Sequence, residues 1–352
     1  MCVPAVSKIL VWLSGGVDSA VVAYLLREAG HEVSCGFMIN YISDAEDCPT
    51  LIDMEEARKV AEYLNLPFHT FDFQEEYEKR IIAYIYESYK NWLTPNPDIL
   101  CNNLVKFDCF LEEAREYGFD AIATGHYARI EQYDGWFHLL KGLDSNKDQT
   151  YFLSGLNQFQ LAHALFPIGS LQKSEVRRIA RDAWLPNAER KDSQGLCFIG
   201  KVSMKEFLEK RLPKQSGDIL DTHNNIIGKH EGAFSYTIGQ RKGIEIGGGP
   251  ALFVVKKDTV NNTITVWTEQ ELQLYASELI ACRWHWLWKL LVFPFVAQAK
   301  IRYRQEDQEV ECEALSEHRI RVRFRVPQRA ISSGQTIVMY SGDELIASGI
   351  IE

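Results

Sequence analysis

The chain has 352 residues, 46% hydrophobic and 24% charged, the balance of an ordinary globular protein with room for two or three domains. A formal charge of −10 repels nucleic acid as a whole, so any RNA contact must come from local basic patches. Met1–Lys8 has no basic stretch leading into an apolar core, and Trp284–Ala297 is broken by Lys289 and Pro294. The expectation is therefore a cytoplasmic monomer with no leader and no membrane association.

Ile9–Trp12 is a short apolar run that reads as a buried strand. It breaks at Leu13-Ser14-Gly15-Gly16-Val17-Asp18-Ser19 and passes into Ala20–Arg27, which has helical composition and apolar spacing. Strand, glycine turn and helix start together make an anion site. Gly15 and Gly16 allow close backbone approach, the helix-start N–H groups face the ligand, and Ser14 and Ser19 add hydroxyls. A Walker A loop would carry a lysine here, and this one does not. The plainer alternative is a glycine turn capped by Ser and Asp.

His31–Ile39 reads as a second strand, Glu55–Asn65 as a helix stopped near Pro67, and Phe68–Phe73 as a third strand. Helices over about Tyr77–Tyr89 and Asp108–Tyr117 and a strand at Ala121–Thr124 continue the alternation. The pattern predicts an α/β fold with a doubly wound parallel sheet and its ligand at the carboxyl ends of the strands. Further helical patterns cover Gln158–Leu165 and Lys173–Asp182. From about Gly217 short β-type runs take over, and three alternating strands after Ala297 suggest a terminal barrel or sandwich. The division expected is a catalytic nucleotide domain at 1–202, a small central domain at 203–268 and a C-terminal β domain at 269–352.

Four stretches carry groups suited to chemistry. In Thr94-Pro95-Asn96-Pro97-Asp98-Ile99-Leu100-Cys101-Asn102 two prolines fix the backbone, so Asp98 and Cys101 hold set positions. Asp98 could act as a general base or simply cap the following helix. Asp192–Gly200 contains Cys197, which from its apolar neighbours alone could equally be an inert packed thiol. Thr124–Arg129, with Gly125 and His126, lies at a strand end on the ligand edge. Lys147-Asp148-Gln149 is polar and precedes a helix. The eight cysteines include no C-x-x-C pair, which fits a reducing compartment and gives no metal-site spacing.

Together these stretches, with Tyr236–Gly243, Pro327–Ala330 and Gly334-Gln335, resemble the tRNA-specific 2-thiouridylase family along the whole chain and in the family's order. Ser14–Ser19 resembles the pyrophosphate loop of ATP pyrophosphatases. The resemblance implies ATP, with Mg2+, bound by Trp12–Ser19, Met38 and Gly125. It implies a flipped wobble uridine held by Asn96, Pro97 and Asp98. Cys197 matches the family's persulfide carrier, Cys101 its partner in a transient disulfide, and Asp98 would manage protons. His126, Lys147, Asp148, Gln149, Arg302, Tyr303 and Gln335 match positions that touch tRNA, and a desulfurase or sulfur-relay protein would donate sulfur. Trp12 departs from the glycine usual before the loop, and Leu93 from a basic residue. Amide- or guanidine-forming synthetases share the loop but do not need the cysteine pair. Iron–sulfur tRNA thiolases would need clustered cysteines, and an inactive RNA-binding scaffold would not need the loop, Asp98 or the thiols.

Arg319, Arg321, Arg323 and Arg325 alternate with apolar residues, as do Glu309, Glu311 and Glu313 before them. The pattern predicts a hairpin whose charges meet as ion pairs, with an RNA-binding face as the alternative.

Overall fold

β1 (Lys8–Trp12) is covered on both faces, as a central parallel strand requires. Ile9, Val11 and Leu13 enter one layer with α1 (Val17–Glu28) and α2 (Pro49–Tyr63), while Leu10 and Trp12 enter the other. The computed structural model describes residues 6–42, 48–191, 204–244, 246–247, 249–258, 260–268, 274–288 and 291–352. Along the chain follow β2 (Glu32–Ile39), β3 (Phe68–Asp72), β4 (Ala121–Ala123), β5 (Ala128–Tyr133), β6 (Trp136–Lys141) and β7 (Ala164–Leu165). The first sheet has the order β3-β2-β1-β4-β7, and every pairing in it is parallel. The doubly wound sheet is thus present, and its carboxyl edge falls at Ser14 and Thr124.

The second helical layer is more continuous than the sequence pattern suggests. α3 (Gln74–Tyr77) passes through a π-helical stretch, Glu78–Ile82, into α4 (Ala83–Lys90). α5 (Pro97–Cys101) likewise runs through Asn102–Cys109 into α6 (Phe110–Glu116). The helix expected at Asp108–Tyr117 is therefore only the end of a run that starts at Pro97. Wide π turns shift the apolar spacing away from 3.6 residues and hide the earlier part. α7 (Gln158–Ala162) starts at an Asn157/Gln160 capping box and stops short of the expected end, because Ala164–Leu165 pairs with β4. α8 (Lys173–Asp182) matches its expected span, and α9 (Met204–Glu209) leads out of this part of the chain.

The central strands are β8 (Gly217–Leu220), β9 (Ile226–His230), β10 (Leu252–Asp258) and β11 (Thr263–Thr268), in the order β10-β11-β8-β9. β12 (Tyr275–Trp286), β13 (Phe295–Lys300), β14 (Gln308–Ala314), β15 (Arg319–Arg329), β16 (Thr336–Ser341) and β17 (Glu344–Ile351) form the C-terminal barrel. β12 pairs with both β15 and β17, which closes it. Five strands rather than three follow Phe295, because β16 and β17 are buried almost continuously and show no alternation. Tyr340 and Leu345 pack into the same core as Leu10 and Trp12, and the β5–β6 hairpin joins the barrel sheet through Leu139 and Leu140. In the aromatic segment, Trp286 packs against Phe293 and Phe295, each with ring centres 6.2 Å away. Leu291, Phe293 and Phe295 pack against the barrel core, whereas Val292 and Val296 between and beside them are exposed.

The charged hairpin forms in the expected register, with Glu311 opposite Arg323 and Glu313 opposite Arg321. Glu313 lies 3.2 Å from Arg321 and 3.3 Å from Arg323, Glu309 lies 2.5 Å from Arg325, and Glu278 of β12 is 3.6 Å from Arg323. Exposed pairs of this kind contribute about 0.2–1 kcal/mol each. Replacing Arg321 and Arg323 by Gln should lower stability by about 1–2 kcal/mol in chemical denaturation while leaving the salt dependence of RNA binding unchanged. A flattened salt slope with an unchanged denaturation midpoint would make this face an RNA patch instead.

Candidate functional site

The turn after β1 is held by its own hydroxyls. Ser14 N–H donates to Ser19 Oγ at 3.1 Å, and Ser19 Oγ–H donates to Gly16 O at 3.1 Å. Gly15 has φ +78°, and a Cβ there would lie 2.6 Å from Asp53 O, so only glycine fits. Gly16 is the N-cap of α1 and, having no side chain, gives the helix-start N–H groups no side-chain cap. A Cβ on Gly16 would meet only Ser14 Oγ, at 3.4 Å, so the space beyond it is open.

Distant residues fix this turn. Asn187 Nδ2 and Arg190 Nη1 both donate to Gly15 O at 2.9 Å, and Arg190 Nη2 bonds Asp53 Oδ1 at 2.5 Å. Gly125, at the end of β4, packs so closely that a Cβ would be 2.9 Å from Ser19 N. Tyr127 O–H donates to Asp18 Oδ1 at 2.9 Å, and Lys173 Nζ donates to both Asp18 oxygens at 2.6 and 2.8 Å. Nothing in the loop sequence signals Lys173, Arg190 or Asn187, since they lie more than 150 residues away and only the fold delivers them.

Trp12 and Met38 are buried at this edge, the lysine ammonium of Lys106 lies 4.3 Å from the centre of the Trp12 ring, and Lys106 is itself buried. His126 is enclosed by Trp12, Phe107 and Phe166 and hydrogen-bonded to Thr124 Oγ1 at 2.8 Å. Burial first, and the Lys106 charge second, hold its pKa well below the usual imidazole range, so it is neutral at pH 7. Asp148 is buried too, accepting from the N–H groups of Gly142 and Thr150. Gln149 Oε1 accepts from Tyr127 N–H at 3.0 Å. His126 and Asp148, matched to tRNA contacts in sequence, thus have inward-facing side chains, while Lys147 is half-exposed.

The second part of the site is the start of α5. Asn96, not Asp98, is its capping residue, accepting from Ile99 N–H at 3.4 Å. Asp98 occupies the first turn, where the helix dipole favours a carboxylate. Cys101 is buried at the fifth residue of the run, one position past that turn, so the positive helix end falls on Asp98 rather than on the thiol. Ile99 and Cys101 share a core layer with Trp12 and Met38, so this helix start lies on the Trp12 side of the sheet, whereas Leu13 and Val17 beside the turn enter the opposite layer. Cys197 and its Asp192–Gly200 segment lie outside the described residues.

The strap before α5 is held by both later parts of the chain. Thr94 N–H donates to Ser333 O at 2.9 Å, and Gln335 Nε2 donates to Thr94 O at 2.9 Å and Pro95 O at 3.2 Å. Thr94 Oγ1 meets Thr237 Oγ1 at 3.2 Å, and Lys257 Nζ donates to Trp92 O at 2.9 Å. Gln335, matched to tRNA, therefore commits its amide to the strap. Arg302 is exposed and bonds Ala330 O at 3.1 Å, while the Tyr303 ring lies 4.4 Å from Phe152, beside the carbonyl that Asn102 holds.

Burial pulls the Lys257 pKa from 10.5 down to about 8. The unfolded chain then binds more protons between those values, so stability rises with pH through that window and is flat below it. Wild type should gain up to about 3 kcal/mol over Lys257→Met between pH 8 and 10.5, measured by denaturation at each pH. Parallel curves for the two proteins would show that the amine is solvated.

Family models match the chain from end to end: the tRNA methyl transferase HUP domain at 7–201, its PRC-barrel domain at 205–268, and an aminomethyltransferase β-barrel domain at 276–351. The tRNA-specific 2-thiouridylase MnmA of Lysinibacillus sphaericus is 44% identical over 355 residues, covering 99% of this chain and 95% of that protein. That of Alkaliphilus oremlandii is 43% identical over 356 residues, covering 99% and 98%. Among solved structures, the U34-tRNA thiolase NcsA from Methanococcus maripaludis aligns with a TM-score of 0.37 and 17% identity, over 58% of this chain and 63% of that one. So slight a likeness adds nothing to the full-length matches.

Proposed function

The chain belongs to the tRNA-specific 2-thiouridylase family, and on that premise we propose that it uses ATP to replace the 2-oxygen of a tRNA wobble uridine with sulfur. The observation that carries the reading is the meeting of the Gly15–Gly16 turn, at the carboxyl end of β1, with the layer that holds Cys101: Trp12, just before the turn, shares that layer with Met38, Ile99 and Cys101. A turn suited to an anion beside a helix that carries an acid and a thiol suits activation by ATP followed by sulfur transfer.

ATP lies with its phosphates on Ser14–Ser19 and its base toward Met38, while Gly125 keeps the helix start in place. The uridine, unstacked and held by Asn96, Pro97 and Asp98, attacks the α-phosphate through its 2-oxygen. Pyrophosphate leaves, and the oxygen becomes part of an AMP leaving group. The terminal sulfur of a Cys197 persulfide attacks C2 and AMP departs. The Cys101 thiolate then attacks the Cys197 sulfur, so the S–S bond to the base breaks and a Cys101–Cys197 disulfide forms. Two electrons from a thiol reductant restore both thiols. Asp98 handles the proton at N3 of the base or at the thiol.

Among the described residues no group of three or more side chains is arranged to hold a metal ion. A Mg2+ ion would therefore arrive with the nucleotide, ligated by phosphate oxygens and by Asp18, a donor set suited to it. It would neutralise phosphate charge there. We assign the chemistry to 1–202 and the RNA grip to 203–268 and 269–352, with Lys147, Arg302 and Tyr303 reaching the tRNA and His126, Asp148, Gln149 and Gln335 supporting them. A persulfide-bearing desulfurase or relay protein supplies sulfur, and the protein works as a cytoplasmic monomer. Among the described residues no helix is long and apolar enough to cross a membrane.

Gly16→Val should leave folding intact, because its Cβ would make only an ordinary 3.4 Å contact with Ser14 Oγ, yet abolish tRNA-dependent ATP–pyrophosphate turnover. Normal turnover would remove the loop from the mechanism. After incubation with a sulfur donor, mass spectrometry should find a persulfide at position 197 in Cys101→Ser and none at position 197 in Cys197→Ser. Wild type taken through one turnover without reductant should trap the Cys101–Cys197 disulfide. Wild-type rates of 2-thiouridine formation by Cys197→Ser would end the persulfide route.

A further inference from the structure

We propose that Lys173 leaves Asp18 to bind the β- and γ-phosphates of ATP, supplying from α8 the cation that the Ser14–Ser19 loop lacks. The inference rests on the reading of that loop as the phosphate site. The loop sequence, Ser-Gly-Gly-Val-Asp-Ser, contains no basic side chain and one acid. That acid, Asp18, stands in the first turn of the helix whose N–H groups would hold phosphate. A bare carboxylate there would repel the triphosphate by the same field that makes the helix start attractive to it.

Lys173 occupies this spot. Its ammonium contacts both Asp18 oxygens and lies 5.9 Å from the centre of the Tyr127 ring. The pair is not sealed off: the two side chains keep 15% and 28% of their exposure. Its backbone is fixed, because Lys173 N–H donates to Asp144 Oδ2 at 2.9 Å as the first residue of α8. An anchored backbone and a flexible four-carbon stem let the ammonium turn from one anion to another over a short arc. Tyr127 O–H stays on Asp18 at 2.9 Å, so the carboxylate keeps a partner when the ammonium moves.

The consequence for the reaction is specific. When the uridine oxygen bonds to the α-phosphorus, the α–β bridge breaks and its electron pair goes to pyrophosphate. An ammonium on the β- and γ-phosphates stabilises that growing charge and also holds the product. AMP lacks those two phosphates and gains nothing from Lys173.

Calorimetric titration of the full chain with pyrophosphate, ATP and AMP, without divalent cation, tests this. Lys173→Ala should weaken pyrophosphate and ATP binding by about tenfold to a hundredfold and change AMP binding by less than about twofold. Lys173→Arg, which keeps the charge, should recover most of the loss. Asp18→Asn combined with Lys173→Ala separates contact from neutralisation. If Lys173 touches phosphate the double variant stays weak, whereas wild-type affinity in it would overturn the proposal and leave Lys173 as a screen for Asp18. Unchanged pyrophosphate affinity in Lys173→Ala with an unchanged melting temperature would overturn it as well. Failure of the wild type to bind pyrophosphate at all would overturn the loop assignment and this proposal with it.

Discussion

The strap from Trp92 to Pro95 is the constraint on which the rest of the site depends. It enters α5, and α5 carries Asp98 and Cys101. Pro95 stiffens it, yet its polar backbone groups would be unsatisfied without partners. Those partners come from elsewhere in the chain: Lys257 at Trp92 O, Gln335 at Thr94 O and Pro95 O, and Ser333 at Thr94 N–H. The central and C-terminal parts of the chain therefore hold the entry to the helix that carries Asp98 and Cys101. Gly334 enforces the closeness, since a Cβ there would lie 2.8 Å from Leu93 Cβ.

The phosphate turn shows the same economy of distant parts. Its backbone is locally competent, with Ser14 and Ser19 closing the turn on themselves. Its position is not local. Gly15 O is gripped by Asn187 and Arg190, and the residues that follow Arg190 lead toward Cys197 in sequence. In sequence, Cys197 thus follows closely on a residue that is tied to the Gly15 turn.

Surface charge follows a comparable logic. The arginine row that stood out in the sequence is committed to carboxylates, Glu309, Glu313, Glu278 and Glu352, and elsewhere Lys141 and Lys300 pair with Asp307. Arg302 and Lys147 retain part of their exposure, whereas the arginines of the barrel row each face a carboxylate.

Local sequence determined a good deal by itself. The apolar run Ile9–Trp12, the Gly-Gly break and the helix pattern after it required a strand–turn–helix unit, because backbone sterics and burial act over a few residues. The alternation of strands and helices required a parallel sheet, and the Glu and Arg alternation at 309–325 required an ion-paired hairpin. Where periodicity failed, the reasons were physical. π turns blurred the spacing from Pro97 to Cys109, and two-sided burial erased the alternation of β16 and β17. Only the tertiary structure decided which residue caps α5, that His126 and Asp148 turn inward, that Gln335 holds a strap, and that Lys173 meets Asp18. The last two depend on contacts across 241 and 155 residues, and the cap and the inward turns show only in the folded backbone. Such contacts leave no periodic trace in either segment, because periodicity records which face is buried and not what it is buried against.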